Sequence, residues 1–239
     1  MTALADALVH AALATACAVV PPAGASGGTG IARIHRDMAA AEWPAAAVAA
    51  AAVAAAVPDS VYRRLFDGGV TMDAFLAAAR QRKEQWATNY QRGVVADAVL
   101  ARARSAPGPW KLLVVAVDGC SDSVNTVPYI ARLAEQLMGT ELRIVDNSAG
   151  RAVMDAHRTP DGRSATPTVI LLDANYQERG CWIERPSELR DWILSHKATD
   201  RDRDIFEHKM SWYEKDKGHK TLVDIAEMIA AAGRGEVQC

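Results

Sequence analysis

The chain has 239 residues, a formal net charge of −2 at pH 7 and a sequence pI near 6.3. These values argue against nucleic-acid binding and against a polybasic tether to a membrane surface. Half of the residues are hydrophobic, which is enough for a sizeable core, although many of them are alanine and bury little apolar area each.

The first 58 residues form a low-complexity segment rich in Ala, Gly and Pro, and we expect them to be a disordered leader that the fold does not require. Two apolar runs, at 8–20 and 45–57, are too short or too weakly apolar to predict a membrane span. The first run lacks a basic segment before it, whereas basic residues at 33–36 precede the second. A signal-like interpretation of the leader therefore stays open beside a cytoplasmic location.

Residues 59–108 are predicted to form a helical extension. Thr71 is a suitable N-cap for an amphipathic helix that continues through Tyr90. A second helix is predicted at Asp97–Ala106, and the Pro-Gly-Pro sequence that follows ends it.

Residues 109–198 alternate between strand and helix patterns. The continuous apolar run Lys111–Val117 is typical of a strand buried on both faces. The elements predicted after it are a helix through about Met138, a strand at Glu141–Asp146, a helix at Ala149–His157, a hairpin of strands at Thr168–Asp173 and Glu178–Ile183, and a helix at Pro186–His196. This order predicts an α/β domain with a central four-stranded mixed sheet and flanking helices.

Residues 199–239 are predicted to form a charged helical C-terminal extension. A solvated helix is expected at 200–217 and an amphipathic helix at Thr221–Ala232, followed by a loose tail. Trp212 and Tyr213 are the aromatic residues expected to anchor this extension to the core.

Cys120 is the candidate for a chemically reactive residue. The buried strand places it at the carboxyl end of the sheet, where ligands bind in open α/β folds, and at the start of a helix, where a thiolate is favoured. The alternative is a buried, inert cysteine. Two prolines favour the reactive interpretation: Pro128 interrupts the helix hydrogen bonding, and Thr166–Pro167, expected to be cis, precedes the third strand.

These residues resemble the active-site cysteine, the helix proline and the cis-proline loop of thioredoxins. The stretch Asp118–Pro128 is similar to a bacterial thioredoxin-like group with a Trp-Cys-x-Asp motif, and Gly162–Pro167 is similar to the Gly-Arg-Ser-x-Pro loop of that group. The resemblance covers about residues 61–195. It implies a thioredoxin-like fold, with helical extensions at both ends.

The resemblance also implies roles for individual residues. Cys120 would be the nucleophile, Ser123 would steady its thiolate through the hydroxyl, and Gly119, Thr166 and Pro167 would line the substrate groove. Ser123 stands where a second cysteine is usual, so it cannot release a mixed disulfide by attacking it. Gly119 stands where a tryptophan is usual.

Asp122 has two opposing effects on this site. A carboxylate is favourable at a helix N-terminus, but it repels a neighbouring thiolate. The reactivity of Cys120 therefore does not follow from the sequence.

The other cysteines are expected to take no part in the chemistry. Cys181 is expected to be structural, Cys239 an incidental thiol on the tail, and Cys17, in the leader, to have no role. The four cysteines include no Cys-x-x-Cys pair and the histidines do not lie near them in sequence, which predicts no structural zinc site. Their scatter does not indicate a disulfide framework, so a reducing compartment is expected.

Two hypotheses for function follow. The first is a monothiol thiol–disulfide oxidoreductase that acts on protein disulfides or on mixed disulfides with small thiols. It needs no cofactor beyond a low-molecular-weight thiol as cosubstrate, and Arg163 either contacts an acidic group of that thiol or is a solvated loop residue. His157 is expected to complement a helix dipole. The alternative is a non-catalytic binding module that holds a peptide at Pro167.

Overall fold

The computed structural model describes residues 56–239. Most of the predicted disordered leader, at 1–58, lies outside this range. Cys17, for which no role was predicted, also lies outside it.

A single four-stranded sheet runs through the described part of the chain. Its strands are β1 (Trp110–Val115), β2 (Thr140–Val145), β3 (Thr168–Leu172) and β4 (Glu178–Ile183), in the order β2-β1-β3-β4. β1 is parallel to β2, whereas β3 is antiparallel to both of its neighbours. The central strands β1 and β3 are the most apolar, as expected for strands covered on both faces. This is the predicted mixed sheet of a thioredoxin-like fold.

Helices flank both faces of the sheet. They are α1 (Asp59–Gly68), α2 (Met72–Ala78), α3 (Lys83–Arg92), α4 (Asp97–Arg104), α5 (Ser121–Ala134), α6 (Arg151–Ala156), α7 (Ser187–His196), α8 (Asp202–Asp216) and α9 (His219–Gly233). Over residues 56–239, no helix is long and apolar enough to cross a membrane.

The core is divided by the sheet because successive side chains of a strand point to opposite faces. Leu112 and Val114 of β1 pack with residues of α3, α4, α5 and α9, whereas Leu113 and Val115 pack with residues of α1 and α6. Both faces of the sheet are thus covered, and the carboxyl end of β1 is left to carry the site.

The helix predicted to run on from Thr71 is in fact two helices, α2 and α3. Thr71 does cap the first through its side chain. The chain then breaks at Arg82, which has a left-handed backbone with φ of 51°. The amides of Arg80 and Gln81 donate to a carboxylate oxygen of Asp118 at 2.9 and 3.0 Å, and these two bonds take the place of helical hydrogen bonds.

The two C-terminal helices differ in how they pack. α9 places Leu222, Ile225 and Ile229 in the main hydrophobic cluster with α4 and α5. α8 instead packs against α7 in a small separate cluster that includes Ile193 and Tyr213. The predicted extension therefore contains one helix that completes the main core and one that lies outside it.

The prediction of a loose tail ending in an incidental thiol is wrong. Gln238 pairs with Gly180 at the edge of β4, and its carbonyl accepts a hydrogen bond of 2.8 Å from the amide of Cys181. Cys239 forms a disulfide with Cys181, 58 residues away in sequence. Because α9 returns the chain to this edge, distance in sequence hid the pairing. The scatter of the cysteines therefore gives no support for a reducing compartment.

Candidate functional site

The loop that precedes Cys120 is fixed by the N-terminal helices. The indole nitrogen of Trp86 donates to the Asp118 carbonyl at 2.8 Å, and Arg82 Nε donates to the Gly119 carbonyl at 3.0 Å. Gly119 is buried, and a Cβ at this position would lie 2.5 Å from Gln81 Oε1. A tryptophan here, as thioredoxins usually have, would require Gln81 to move.

Four of the residues predicted for the site come together around one sulfur atom. Cys120 caps the N-terminus of α5, and its Sγ lies 3.5 Å from the Ser123 amide, which donates to it. The same sulfur is 3.2 Å from the carbonyl oxygen of Thr166. The Thr166–Pro167 peptide bond is cis, which confirms the prediction. The arrangement holds the sulfur between a helix N-terminus and the proline loop.

Two hydroxyl groups at this site have no hydrogen-bond partner. Within the described chain, Ser123 Oγ and Thr166 Oγ1 are both buried and unpaired. Ser123 therefore contacts the sulfur of Cys120 through its backbone amide and not through its hydroxyl, contrary to the predicted role. Since buried polar groups are nearly always hydrogen-bonded, these two hydroxyls are exceptions within residues 56–239.

Pro128 lies inside α5, as predicted, and another residue compensates for it. A proline has no N–H to offer the carbonyl four residues earlier, here that of Val124. The side-chain nitrogen of Asn89 donates to this carbonyl at 2.7 Å. Asn89 is buried in α3, so α3 supports the helix that carries Cys120. The sequence offered no signal for this partner.

Asp122 is the centre of a buried charged cluster that the sequence did not reveal. Its side chain is 0% exposed. One carboxylate oxygen accepts from Lys209 Nζ at 2.9 Å and from Arg185 at 3.2 Å, and the other accepts from the Tyr213 hydroxyl at 2.7 Å. Lys209 also donates to Ser121 Oγ at 2.9 Å. α8, the source of Lys209 and Tyr213, thus docks directly onto the turn that follows Cys120.

This cluster changes the expected effect of Asp122. Burial raises the pKa of its carboxyl group, but the charges of Arg185 and Lys209 outweigh burial and hold the pKa below its usual value. The carboxylate is therefore ionised, and two cations offset its repulsion of a nearby thiolate. The anchoring role predicted for Tyr213 is confirmed, whereas Trp212 packs against α7. The spacing of four between Lys209 and Tyr213 places them on one helix face.

Arg163 is already paired within the protein. Its guanidinium lies 2.8 Å from Asp161 and forms two bonds of 3.1 Å with the carboxylate of Glu184. It is therefore neither a freely solvated loop residue nor an unoccupied contact for an acidic cosubstrate.

His157 belongs to a different group of residues, on the face of the sheet covered by α1 and α6. Its Nδ1 lies 2.8 Å from the Val153 carbonyl near the end of α6, consistent with the expected helix-terminal position, and its Nε2 lies 2.8 Å from Glu178. Burial lowers the pKa of His157, but the bonds to Glu178 and Val153 outweigh it and raise the pKa. Burial likewise raises the pKa of Glu178, but His157 and Tyr62 hold it low.

We expect His157→Gln to destabilise the protein most between pH 4.5 and 6.5. These limits are the ordinary pKa values of a glutamate and a histidine side chain, here Glu178 and His157. The raised pKa of His157 gives stability that is complete below 6.5 and is lost as pH rises through the folded value. The lowered pKa of Glu178 gives stability that is complete above 4.5 and is lost as pH falls through its folded value.

Urea unfolding across this range measures the effect. His196→Gln is the matched control, because it removes a comparable bond of 2.8 Å to the Trp192 carbonyl at the end of α7. Identical pH profiles for the two variants would contradict the prediction.

Comparisons with known proteins agree with this architecture. The family model Thioredoxin_9, described as thioredoxin, matches residues 69–202, more than half of the chain. The crystal structure of a protein of unknown function, PA1234 from Pseudomonas aeruginosa, is 21% identical, with a TM-score of 0.57 over 72% of this chain and 98% of that one. An HIV epitope-scaffold is 19% identical, with a TM-score of 0.54 over 70% and 96%. At these identities the solved structures show a shared fold alone. No curated protein matches the sequence significantly.

Proposed function

The chain belongs to the thioredoxin family, and from this premise we propose that it is a monothiol thiol–disulfide oxidoreductase acting through Cys120. The observation that carries the proposal is the position of the Cys120 sulfur, 3.5 Å from a backbone amide at the N-terminus of α5 and 3.2 Å from the Thr166 carbonyl. The positive end of a helix favours a thiolate, which is the nucleophilic form of cysteine.

The exchange proceeds in two steps. The Cys120 thiolate attacks one sulfur of a mixed disulfide between a substrate and a low-molecular-weight thiol, and the substrate leaves as a thiolate. A second molecule of the small thiol then attacks the small-thiol sulfur now bound to Cys120, which forms the small-thiol disulfide and returns the Cys120 thiolate. Ser123 offers no thiol for the second step, and we assign that step to the cosubstrate.

The residues around Cys120 are suited to an extended substrate once the site opens. Thr166 and Pro167 lie beside the sulfur, and the hydroxyls of Ser123 and Thr166, unpaired in the described chain, would offer hydrogen bonds to that substrate. A substrate disulfide that reaches this point would lie against main-chain and hydroxyl groups rather than against charged side chains.

The second candidate is a non-catalytic binding module, and one observation favours it. Cys120 is 0% exposed, less than Cys181 at 5%. The groups that cover Cys120 must therefore move before a disulfide can reach it. If they do not, the groove at Pro167 serves only to hold a peptide.

The test is turnover of a peptide carrying a glutathione mixed disulfide by the reduced protein. We expect a transient glutathione adduct on Cys120, detected by intact mass, and turnover only when free glutathione is present. Cys120→Ser should lower the rate by at least about a hundredfold because it removes the nucleophile.

Asp191→Asn, a change at an exposed carboxylate of α7, is the control and should leave the rate unchanged. If Cys120→Ser turns over as fast as the native protein, the chemistry lies elsewhere. If no adduct forms and Cys120 resists alkylation in the reduced, folded protein, the binding module is the better interpretation.

A further inference from the structure

The C-terminal disulfide joins the last residue of the chain to the edge strand of the sheet. Cys181 lies in β4 and Cys239 follows Gln238, with Cα atoms 4.5 Å apart across the bond. The backbone of Gln238 pairs with Gly180 and accepts from the Cys181 amide. Gln238 and Cys239 thus lie against the edge of β4, held there by one covalent bond and by few main-chain contacts.

The two sulfur atoms of this disulfide differ in access. Cys239 is exposed, whereas Cys181 is buried among the residues under α1 and α6. A cavity of about 420 Å³ opens beside the bond and is lined by both cysteines and by Arg158, Arg190 and Glu227. A small thiol can therefore approach the bond from this side, and Cys239 is the sulfur it meets.

His157 lies next to both sulfur atoms. A nitrogen of its ring and the two Sγ atoms are all within 4.8 Å of one another. Its other contacts are with the Val153 carbonyl and the Glu178 carboxylate, both of which accept hydrogen bonds, and the hydroxyl of Tyr62 donates to the same carboxylate. Both ring nitrogens face hydrogen-bond acceptors, an arrangement that favours the protonated ring beside the disulfide.

We propose that Cys181, Cys239 and His157 form a second thiol–disulfide site, which low-molecular-weight thiols reduce and which releases Gln238 and Cys239 from the edge of β4. The site is separate from Cys120 and does not depend on the function proposed for that residue. Neither the family match nor the sequence motifs around Cys120 extend to Cys239.

The chemistry needs only two molecules of a small thiol. The first attacks Cys239 as a thiolate, the disulfide bond breaks, and Cys181 leaves as a thiolate next to the His157 cation. The second attacks the small-thiol sulfur bound to Cys239, which yields the small-thiol disulfide and free Cys239. Two electrons pass from the small thiols to the protein, and a cation beside the leaving sulfur favours its release.

The consequence of reduction is an uncovered strand edge. The Cys181 amide loses the Gln238 carbonyl as its partner once the tail departs, and the edge of β4 then exposes unpaired backbone groups.

The experiment uses the full chain with Cys17 and Cys120 replaced by serine, so that only this pair of cysteines can react. The oxidised protein is treated with glutathione near neutral pH without denaturant, quenched by alkylation and analysed by peptide mass. We expect a glutathione adduct on Cys239 and not on Cys181, followed by two free thiols. Amide hydrogen exchange at Cys181 should accelerate on reduction.

His157→Gln should slow the reduction by about tenfold because the leaving thiolate loses its neighbouring cation. His196→Gln, a histidine at another helix end, should reduce at the native rate. If His157→Gln does not fold, two measurements on the protein that retains His157 still test the proposal. They are the position of the glutathione adduct and the hydrogen-exchange rate of the Cys181 amide.

Three results would overturn the proposal: a disulfide that glutathione leaves intact in the folded protein, an adduct on Cys181, or equal reduction rates for the two histidine variants. Because Cys120 is absent from every sample, none of these results bears on its proposed activity.

Discussion

Asp122→Asn should lower the free energy of unfolding by about 3–5 kcal/mol, the usual loss when one partner of a buried ion pair is removed. The substitution keeps the shape of the side chain but leaves Lys209 and Arg185 buried without the carboxylate that both contact. It also leaves the Tyr213 hydroxyl with a weaker acceptor. Urea unfolding followed by circular dichroism measures the loss.

The matched control is Asp191→Asn, the same change at a carboxylate that is 69% exposed on α7. Its effect should stay within about 0.5 kcal/mol, as for most surface substitutions. Lys209→Met combined with Asp122→Asn should cost less than the sum of the two single changes, because both remove the same ion pair. Equal losses for Asp122→Asn and Asp191→Asn, or strict additivity of the pair, would show that the cluster contributes little.

The ionisation of Asp122 also predicts how the free energy of unfolding changes as the pH falls below about 4. Since its pKa is held below the usual 3.8, its contribution is present above pH 3.8 and is lost as pH falls through the folded value. The Asp122→Asn protein should therefore lose less stability than the native protein over that acid range.

Ser123→Cys should create a protein-disulfide reductase activity that the native chain lacks. Position 123 is one helical turn from Cys120, with its amide 3.5 Å from the sulfur, which is compatible with a disulfide between the two positions. The hydroxyl that is replaced has no hydrogen bond to lose. The new thiol can attack the mixed disulfide on Cys120 and release the substrate without a cosubstrate.

Insulin reduction with and without added glutathione compares the proteins. Ser121→Cys is the matched control, because it adds the same thiol in the same turn at a position that does not face residue 120. Combining Ser123→Cys with Cys120→Ser should abolish the gain. Unaided turnover by the native protein at the rate of the Ser123→Cys variant would show that release from Cys120 does not need a thiol at position 123.

The features that could be predicted from sequence are those that depend on residues close together in the chain. The apolar runs of β1 and β3, the cysteine after β1, Pro128 in α5 and Thr166–Pro167 before β3 each depend on local pattern. They were enough to predict the fold and to bring the proline loop to Cys120.

The features that were missed depend on contacts between distant parts of the chain. The partners of Asp122 lie 63, 87 and 91 residues further along, and only the folded sheet and α8 bring them together. Asn89 compensates for Pro128 across a helix interface, and Cys239 reaches Cys181 only because α9 turns the chain back. Neither periodicity nor spacing carries such information.

The position of α8 and α9 has a consequence for how the family unit is delimited. The family match ends at residue 202, the first residue of α8. Lys209 and Tyr213, which neutralise and bind Asp122, lie beyond that limit, as does α9 with Ile225 in the main core. A chain excised at residue 202 would keep the residues that match the family but would lose part of the core and the partners of Asp122. The segment that matches the family and the cooperative folding unit of this protein therefore have different ends.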